Sequence, residues 1–324
     1  MKEYEIDAMI KDSSWANKGV FSAVVSVNRQ IGQRYYRLSL EFSGAGGEAF
    51  ANAEPGQFAE LDLSGAALPS AEAIPEELAD AAARNILLRR PFSFCDVTVK
   101  KNTTLVDILY FVIGPGSLRM TTLSAGDSVS VIGPLGNGFQ VPEEKKRALL
   151  VAGGMGAPPL QHLAKVLTEN HPHIEVVVFV GAKTVKELPF ERRLDEIAQQ
   201  LGFSLGEFAK YGIESMLATD DGSAGFAGPV SDCLADWLGR DASASKDTII
   251  YSCGPEAMLA RVAEIAREKE IDCQVSMERR MACGIGVCQS CAVECKVGES
   301  NDTVYKLCCK DGPVFDSREI AFSG

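Results

Sequence analysis

Apolar and polar positions change their period twice along this 324-residue chain. Up to about Pro142, short apolar runs alternate with Gly and Pro turns. The runs are Val20 to Val27, Arg34 to Phe42, Gln57 to Leu63, Pro91 to Val97, Leu105 to Ile113 and Ser128 to Ile132. Each reads as a strand, and six strands at this spacing predict a closed antiparallel barrel. One stretch breaks the pattern. Ser64 to Leu88 is Ala-rich and acidic, and Pro75-Glu76-Glu77 puts proline at a first helical position with acids in the first turn. It is expected to be a surface insertion with a short helix, and no chemistry is assigned to it.

From Lys145 the period becomes strand, helix, strand, helix, which predicts a parallel sheet. Ala148 to Ala152 is an apolar strand running into Gly153-Gly154-Met155-Gly156-Ala157-Pro158-Pro159, with a helix from Leu160 to about Thr168. Further strands are expected at Ile174 to Val180, Ile213 to Ala218 and Asp247 to Ser252. Helices are expected at Glu191 to Leu201, Val230 to Leu238 and after Pro255 to about Lys269.

The last change comes at Met277. From there to Pro313 the chain holds six of its ten cysteines, and Cys283, Cys288 and Cys291 have C-x4-C-x2-C spacing. That spacing lets one loop wrap a pair of irons, as in plant-type [2Fe-2S] proteins. Gly284 and Gly286 fall where such a loop needs bare backbone and N–H groups aimed at sulfur. A fourth ligand must follow. Cys295, Cys308 and Cys309 are all available, and the turn signal Lys310-Asp311-Gly312-Pro313 favours Cys309. Structural zinc is the main rival, with Cys295 as a nearby fourth thiolate, but zinc sites usually pair their ligands as two short knuckles. Disulfides need an oxidising compartment, and the N-terminal stretch lacks a signal-peptide pattern.

Composition narrows the class. Hydrophobic residues at 46% and charged residues at 23% describe a globular chain with room for two domains and a small third. No apolar run reaches the about 18 residues that cross a bilayer, so a soluble, cytoplasmic protein is expected. A net charge of −12 argues against nucleic acid, whose phosphates need Lys and Arg.

The remaining candidate chemistry lies at strand ends. Arg89-Arg90-Pro91-Phe92-Ser93-Phe94 sets an arginine fork beside a proline-fixed strand, with Ser93 on the same side as Pro91. Gly114-Pro115-Gly116-Ser117 leads into a helical turn and could meet phosphate, although a plain tight turn explains it as well. Gly133 to Phe139, with three glycines in six residues, passes close to something flat or to the next domain. Gly153, Gly154 and Gly156 form a dinucleotide loop outside the strict G-x-G-x-x-G pattern. Cys253-Gly254-Pro255 ends a parallel strand, where open sheets bind ligands. Thr219 to Ser223 reads as a solvated turn. Cys95, Cys233 and Cys273 read as core, and His162, His171 and His173 show no metal spacing.

With Arg90-Pro91-Phe92-Ser93, Gly153-Gly154-Met155-Gly156 and Cys253-Gly254-Pro255 in this order, the chain resembles the ferredoxin-NADP reductase superfamily. Glu278 to Cys288 and Cys309 to Phe315 narrow the resemblance to the electron transfer subunits of class 1B dihydroorotate dehydrogenase. The resemblance implies FAD held by Arg90, Pro91, Phe92 and Ser93, with Gly116 and Ser117 at its pyrophosphate. It implies NAD phosphates at Gly153, Gly154 and Gly156, with Cys253, Gly254 and Pro255 facing the nicotinamide. It also implies a cluster on Cys283, Cys288, Cys291 and Cys309. The expected parts are an FAD-binding barrel over 1–143 with the insertion at 64–88, an NAD-binding α/β part over 144–272 and a [2Fe-2S] part over 273–324. The implied partner is an FMN-containing catalytic subunit in a heterotetramer. Electrons would run from dihydroorotate through FMN, cluster and FAD to NAD, and NAD against NADP stays open. A reductase for another acceptor and a zinc-stabilised binding subunit are the alternatives.

Overall fold

The computed structural model describes residues 18–188, 206–240, 246–298 and 302–322. The predicted helix over 191–201 lies outside them. The first part is an antiparallel sheet of β1 (Gly19–Gln30), β2 (Tyr35–Ser43), β3 (Phe58–Leu61), β4 (Arg90–Ser93), β5 (Asp96–Val99), β6 (Thr103–Phe111) and β7 (Ser128–Leu135). Its order is β4-β3-β7-β1-β2-β6-β5. The sheet curls around Leu38, Phe42, Phe50, Leu61 and Val131, but the ladder does not join β4 to β5. Seven strands replace the expected six because Phe94 and Cys95 interrupt the run from Pro91 to Val97. Both are buried, which neighbouring residues of a regular strand cannot do on one face.

A helix that propensity hides follows β2. α1 (Gly44–Ala51) contains three glycines, each unfavourable in a helix interior. Its place is fixed by packing. Phe50 stacks on Phe42 with ring centroids 4.0 Å apart, and a Cβ on Gly47 would sit 3.0 Å from the Phe42 carbonyl oxygen. The insertion behaves as expected after Pro75. One tight turn, Glu76–Leu78, leads into α2 (Ala79–Ala82), and Leu78, Ala82 and Ile86 pack into the barrel core. α3 (Pro115–Met120) follows β6.

The second sheet contains β8 (Arg147–Gly153), β9 (Glu175–Ala182), β10 (Glu214–Thr219), β11 (Phe226–Ala227), β12 (Thr248–Cys253) and β13 (Asp272–Ser276), all parallel. Among its helices are α4 (Ala157–Asn170), α5 (Val230–Arg240) and α6 (Glu256–Glu268). The hairpin β14 (Ala292–Lys296) and β15 (Thr303–Leu307) belongs to the cysteine-rich segment. That segment then sends β16 (Val314–Asp316) back to pair antiparallel with β13. The expected boundary at 272/273 therefore falls inside a strand that the sheet needs.

Packing continues across all three parts. Cys291, Val293, Cys295, Cys308, Cys309 and Phe315 share one buried cluster with Leu259 and Val262 of α6 and with Phe58 and Leu135 of the barrel. Polar ties reinforce it. Lys165 Nζ on α4 reaches Asp96 Oδ1 at 2.5 Å and donates to the Val97 carbonyl at 2.8 Å, with both charged side chains mostly buried. His162 lies one helical turn before Lys165 and is 3% exposed.

Burial pushes His162 down to about 4, only partly opposed by Asp96. A base whose folded pKa is depressed leaves stability untouched above its ordinary value near 6.5. Below it the unfolded chain takes up a proton that the folded imidazole refuses, so stability falls between pH 6.5 and about 4, by up to about 3 kcal/mol. His162→Gln should flatten that fall. Urea midpoints of wild type and variant at pH 7 and pH 5 will check this, the gap between the two proteins shifting in favour of the variant at the lower pH.

Candidate functional site

The cysteine loop is irregular, and backbone freedom shapes it. Gly284 and Gly286 take φ of +68° and +85°, a region that costs an L-residue about 1–2 kcal/mol. The turn brings Cys283 beside Cys288, whose N–H donates to Cys283 Sγ at 3.4 Å. It also brings Cys309 beside Cys291, with the Cys309 N–H 3.4 Å from Cys291 Sγ, and the Gly286 N–H points at the Cys309 sulfur. The expected arrangement of amides aimed at sulfur is present. Cys288 lies on the outside, where contacts from Ser290 and then Cys283 lower its thiol to about 6. Cys309 lies inside, where burial and then Cys291 push it up to about 12.

The two spare candidates point elsewhere. Cys308 is fully buried and donates to the Met277 carbonyl at 3.2 Å. Cys295 is buried on β14 opposite Val304, bridged to Ile320. Neither joins the two thiol pairs. Among the described residues no three His, Cys, Asp or Glu side chains are gathered closely enough to hold a metal ion, and the four cysteines stand as two pairs. Two thiol pairs around one loop, each receiving backbone N–H groups, fit the donor set of a two-iron cluster.

The turn after Cys309 is held from the barrel. Asn137 N donates to the Gly312 carbonyl at 2.6 Å, and Asn137 Nδ2 reaches the carbonyls of Asp311 at 3.0 Å and Lys310 at 3.3 Å. Gly136 makes the approach possible, since a Cβ there would lie 2.6 Å from Pro313 Cδ. The glycine-rich Gly133 to Phe139 loop thus meets the last part of the chain, while Phe139 at its end meets Tyr251 of β12 edge-on.

β4 divides its four candidates between two faces. Antiparallel pairing sets Phe92 opposite Ala59 and Arg90 opposite Leu61, while Pro91 faces Glu60 and Ser93 faces Phe58. Phe92 therefore turns towards the barrel core and meets Tyr110 edge-on. Arg90 lies over Gly116, where a Cβ would be 3.0 Å from Arg90 Cγ, and Arg90 Nη1 donates to the carbonyls of Leu88 and Arg89. Arg90, Gly116 and Phe92 are brought together on one side. The Ser117 hydroxyl is spent on its own turn, accepting from the N–H groups of Ile113 at 2.9 Å and Gly114 at 3.1 Å.

On the other face lies a residue that the sequence reading passed over. Glu60 is fully buried, and neither of its carboxylate oxygens has a hydrogen-bond partner among the described residues. Burial raises it to about 7 against the pull of Arg90 and Arg89. In the run Gln57 to Leu63 it shares a face with Asp62 and alternates with Ala59, Leu61 and Leu63, the pattern of a solvent-facing residue.

The glycines after β8 serve two purposes. A Cβ on Gly156 would lie 2.0 Å from the Cys253 carbonyl oxygen, and one on Gly153 would meet Met258 and Pro255. Gly254 packs in turn against Gly153. These three lock the β8 and β12 ends together. Gly154, at φ +50°, borders open space and is the one free for a ligand's phosphates to approach. Cys253 closes the pair of strand ends beside Ser276. Burial pushes its thiol up to about 12, which keeps it protonated and neutral. Thr219 Oγ1 donates to the Ala224 carbonyl at 2.7 Å, and Asp221 accepts from Ser223 N at 3.0 Å, which makes that loop a self-bonded turn.

Comparison with known proteins follows this division. Residues 278–321 match the iron-sulfur cluster binding domain of dihydroorotate dehydrogenase B, and residues 150–264 match the oxidoreductase NAD-binding domain. The dihydroorotate dehydrogenase B (NAD(+)) electron transfer subunit of Geobacillus kaustophilus (strain HTA426) is 35% identical over 91% of this chain and 96% of its own. That of Bacillus velezensis (strain DSM 23117 / BGSC 10A6 / LMG 26770 / FZB42) is 36% identical over 92% and 97%. The chain belongs to the dihydroorotate dehydrogenase B electron transfer subunit family. Like its family, it is an electron-transfer oxidoreductase subunit, with an iron-sulfur cluster binding domain and an NAD-binding domain. The fold agrees. A chain of the NADH-dependent reduced ferredoxin-NADP oxidoreductase superposes with a TM-score of 0.68 at 24% identity, covering 93% of this chain and 90% of that one. No helix of the described residues is long and apolar enough to cross a membrane.

The two kinds of glycine in this family member should respond differently. Gly156→Ala forces a methyl into the Cys253 carbonyl and should cost about 3 kcal/mol or more. Gly154→Ala meets open space and should cost only the about 1–2 kcal/mol of its left-handed backbone. Thermal melts of the two variants will separate them, and equal losses would contradict the packing described.

Proposed function

We propose that this chain carries electrons between NAD and a catalytic subunit that holds FMN and oxidises dihydroorotate, the two assembling as a heterotetramer. Cys283, Cys288, Cys291 and Cys309 hold the cluster. Arg90, Phe92 and Gly116 hold FAD from one side of β4, with Pro91 and Ser93 on the other. Ser117 acts by shaping the turn before α3. Gly154 receives the NAD phosphates, while Gly153, Gly156, Gly254 and Pro255 fix the two loops around Cys253. When bound, FAD exchanges electron pairs with NAD and single electrons with the cluster, chemistry that the side chains cannot supply.

The chain's own contribution is placement. The observation that carries the proposal is the pair of thiol contacts, Cys283 with Cys288 and Cys291 with Cys309, on a loop anchored to the barrel through Asn137. Cys253, neutral and half-buried, offers the nicotinamide a wall without a charge. Cys288, Gln289 and Ser290 are exposed, and so is Val287, at 75%. That rim leaves the cluster loop open to another polypeptide.

Protein purified without oxygen should contain two irons and two sulfides per chain with one FAD, and NADH should bleach its visible absorbance. A colourless protein with one zinc would end the proposal. Cys309→Ser should lose the cluster while Cys308→Ser keeps it, read from iron content and visible spectra. Light scattering of the complex with its catalytic partner should give the mass of two copies of each chain.

A further inference from the structure

Glu60 is the one fully buried carboxyl among the described residues, and the assignments above give it no task. A group of this kind is costly to keep, because burial strips its hydration and no partner replaces it. Arg89 and Arg90 are nearby but bonded elsewhere. Arg89 donates to the Ser130 carbonyl and hydroxyl, and Arg90 to the carbonyls of Leu88 and Arg89. The position of Glu60 is therefore set by strand pairing and by contact, not by an ion pair.

Both settings point to the same junction. Pairing with Pro91 puts Glu60 on the β3–β4 face that also carries Phe58 and Ser93. Contact puts it against the cluster loop, where a Cβ on Gly284 would lie 2.5 Å from Glu60 Cγ and 2.7 Å from Oε1. Gly284 follows the first cysteine of the loop. Its bare Cα and positive φ let the loop close down on this carboxyl.

We propose that Glu60 is a positioning residue for electron exchange: its carboxylate, fixed between the Ser93 face of β4 and the cluster loop, sets the one-electron balance between flavin and cluster. This rests on the function proposed above. One electron crosses between the two groups and no bond forms or breaks. A negative charge against the cluster loop makes an added electron less favourable there, an effect that low local dielectric enlarges.

The test uses the full-chain holoprotein, purified without oxygen and titrated at pH 8.5. The cluster is followed by EPR and the flavin by absorbance. Glu60→Gln keeps the shape and removes the charge, and should raise the cluster midpoint relative to the flavin by about 59 mV, a tenfold shift in a one-electron equilibrium. Glu60→Asp keeps the charge and should stay near wild type. Equal potentials in wild type and Glu60→Gln would overturn the inference. So would the same shift in both variants, or loss of iron and flavin from both, since either makes Glu60 a packing residue only. A wild-type protein without flavin or cluster would instead sink the parent function and this inference with it, so the two failures are told apart by the cofactor content of the wild type.

Discussion

The hold of the barrel loop on the turn behind Cys309 is the constraint on which the rest of the site depends. The cysteine loop has little regular structure of its own, so its sulfurs are only as well placed as their supports. Asn137 supplies three contacts to the backbone of 310–312, and Gly136 gives up a side chain so that Pro313 can approach. Sites built on loops gain precision from shells of this kind. Here the shell comes from a part of the chain more than 170 residues away in sequence.

A second lock of the same nature operates at the nucleotide end. Gly153, Gly156 and Gly254 bring the ends of β8 and β12 within backbone contact, and Cys253 is carried on that contact. The glycines at these two strand ends thus divide by task, Gly153, Gly156 and Gly254 allowing close approach and Gly154 facing open space. The same economy governs charge. Lys165 on α4 pairs with Asp96 on β5, whereas Glu60 stays unpaired beside the cluster loop.

Much of this was legible in the residues. The change from two-residue alternation to strand and helix marked the two sheets, and the cysteine spacing with the turn at Lys310 to Pro313 pointed to the four cysteines that the structure sets in two pairs. What escaped has physical reasons. α1 is glycine-rich and forms because Phe50 is wanted in the core, a tertiary demand that overrides propensity. The break at Phe94 and Cys95 hides in an apolar run. The phosphate role expected of Gly153 and Gly156 could not be told from packing, since a missing side chain looks alike in both. Glu60 escaped because an acid alternating with apolar neighbours has the pattern of a wet face, and only the cluster loop folding over it makes that face dry.

β16 has a consequence for how such proteins can be taken apart. By pairing with β13 it covers what would otherwise be the open margin of the parallel sheet. An unpaired margin is a template for joining other chains. The iron-binding segment is therefore no detachable cassette: cutting it away would uncover a sticky border on the nucleotide half, and grafting it elsewhere would need a host sheet with a strand to spare.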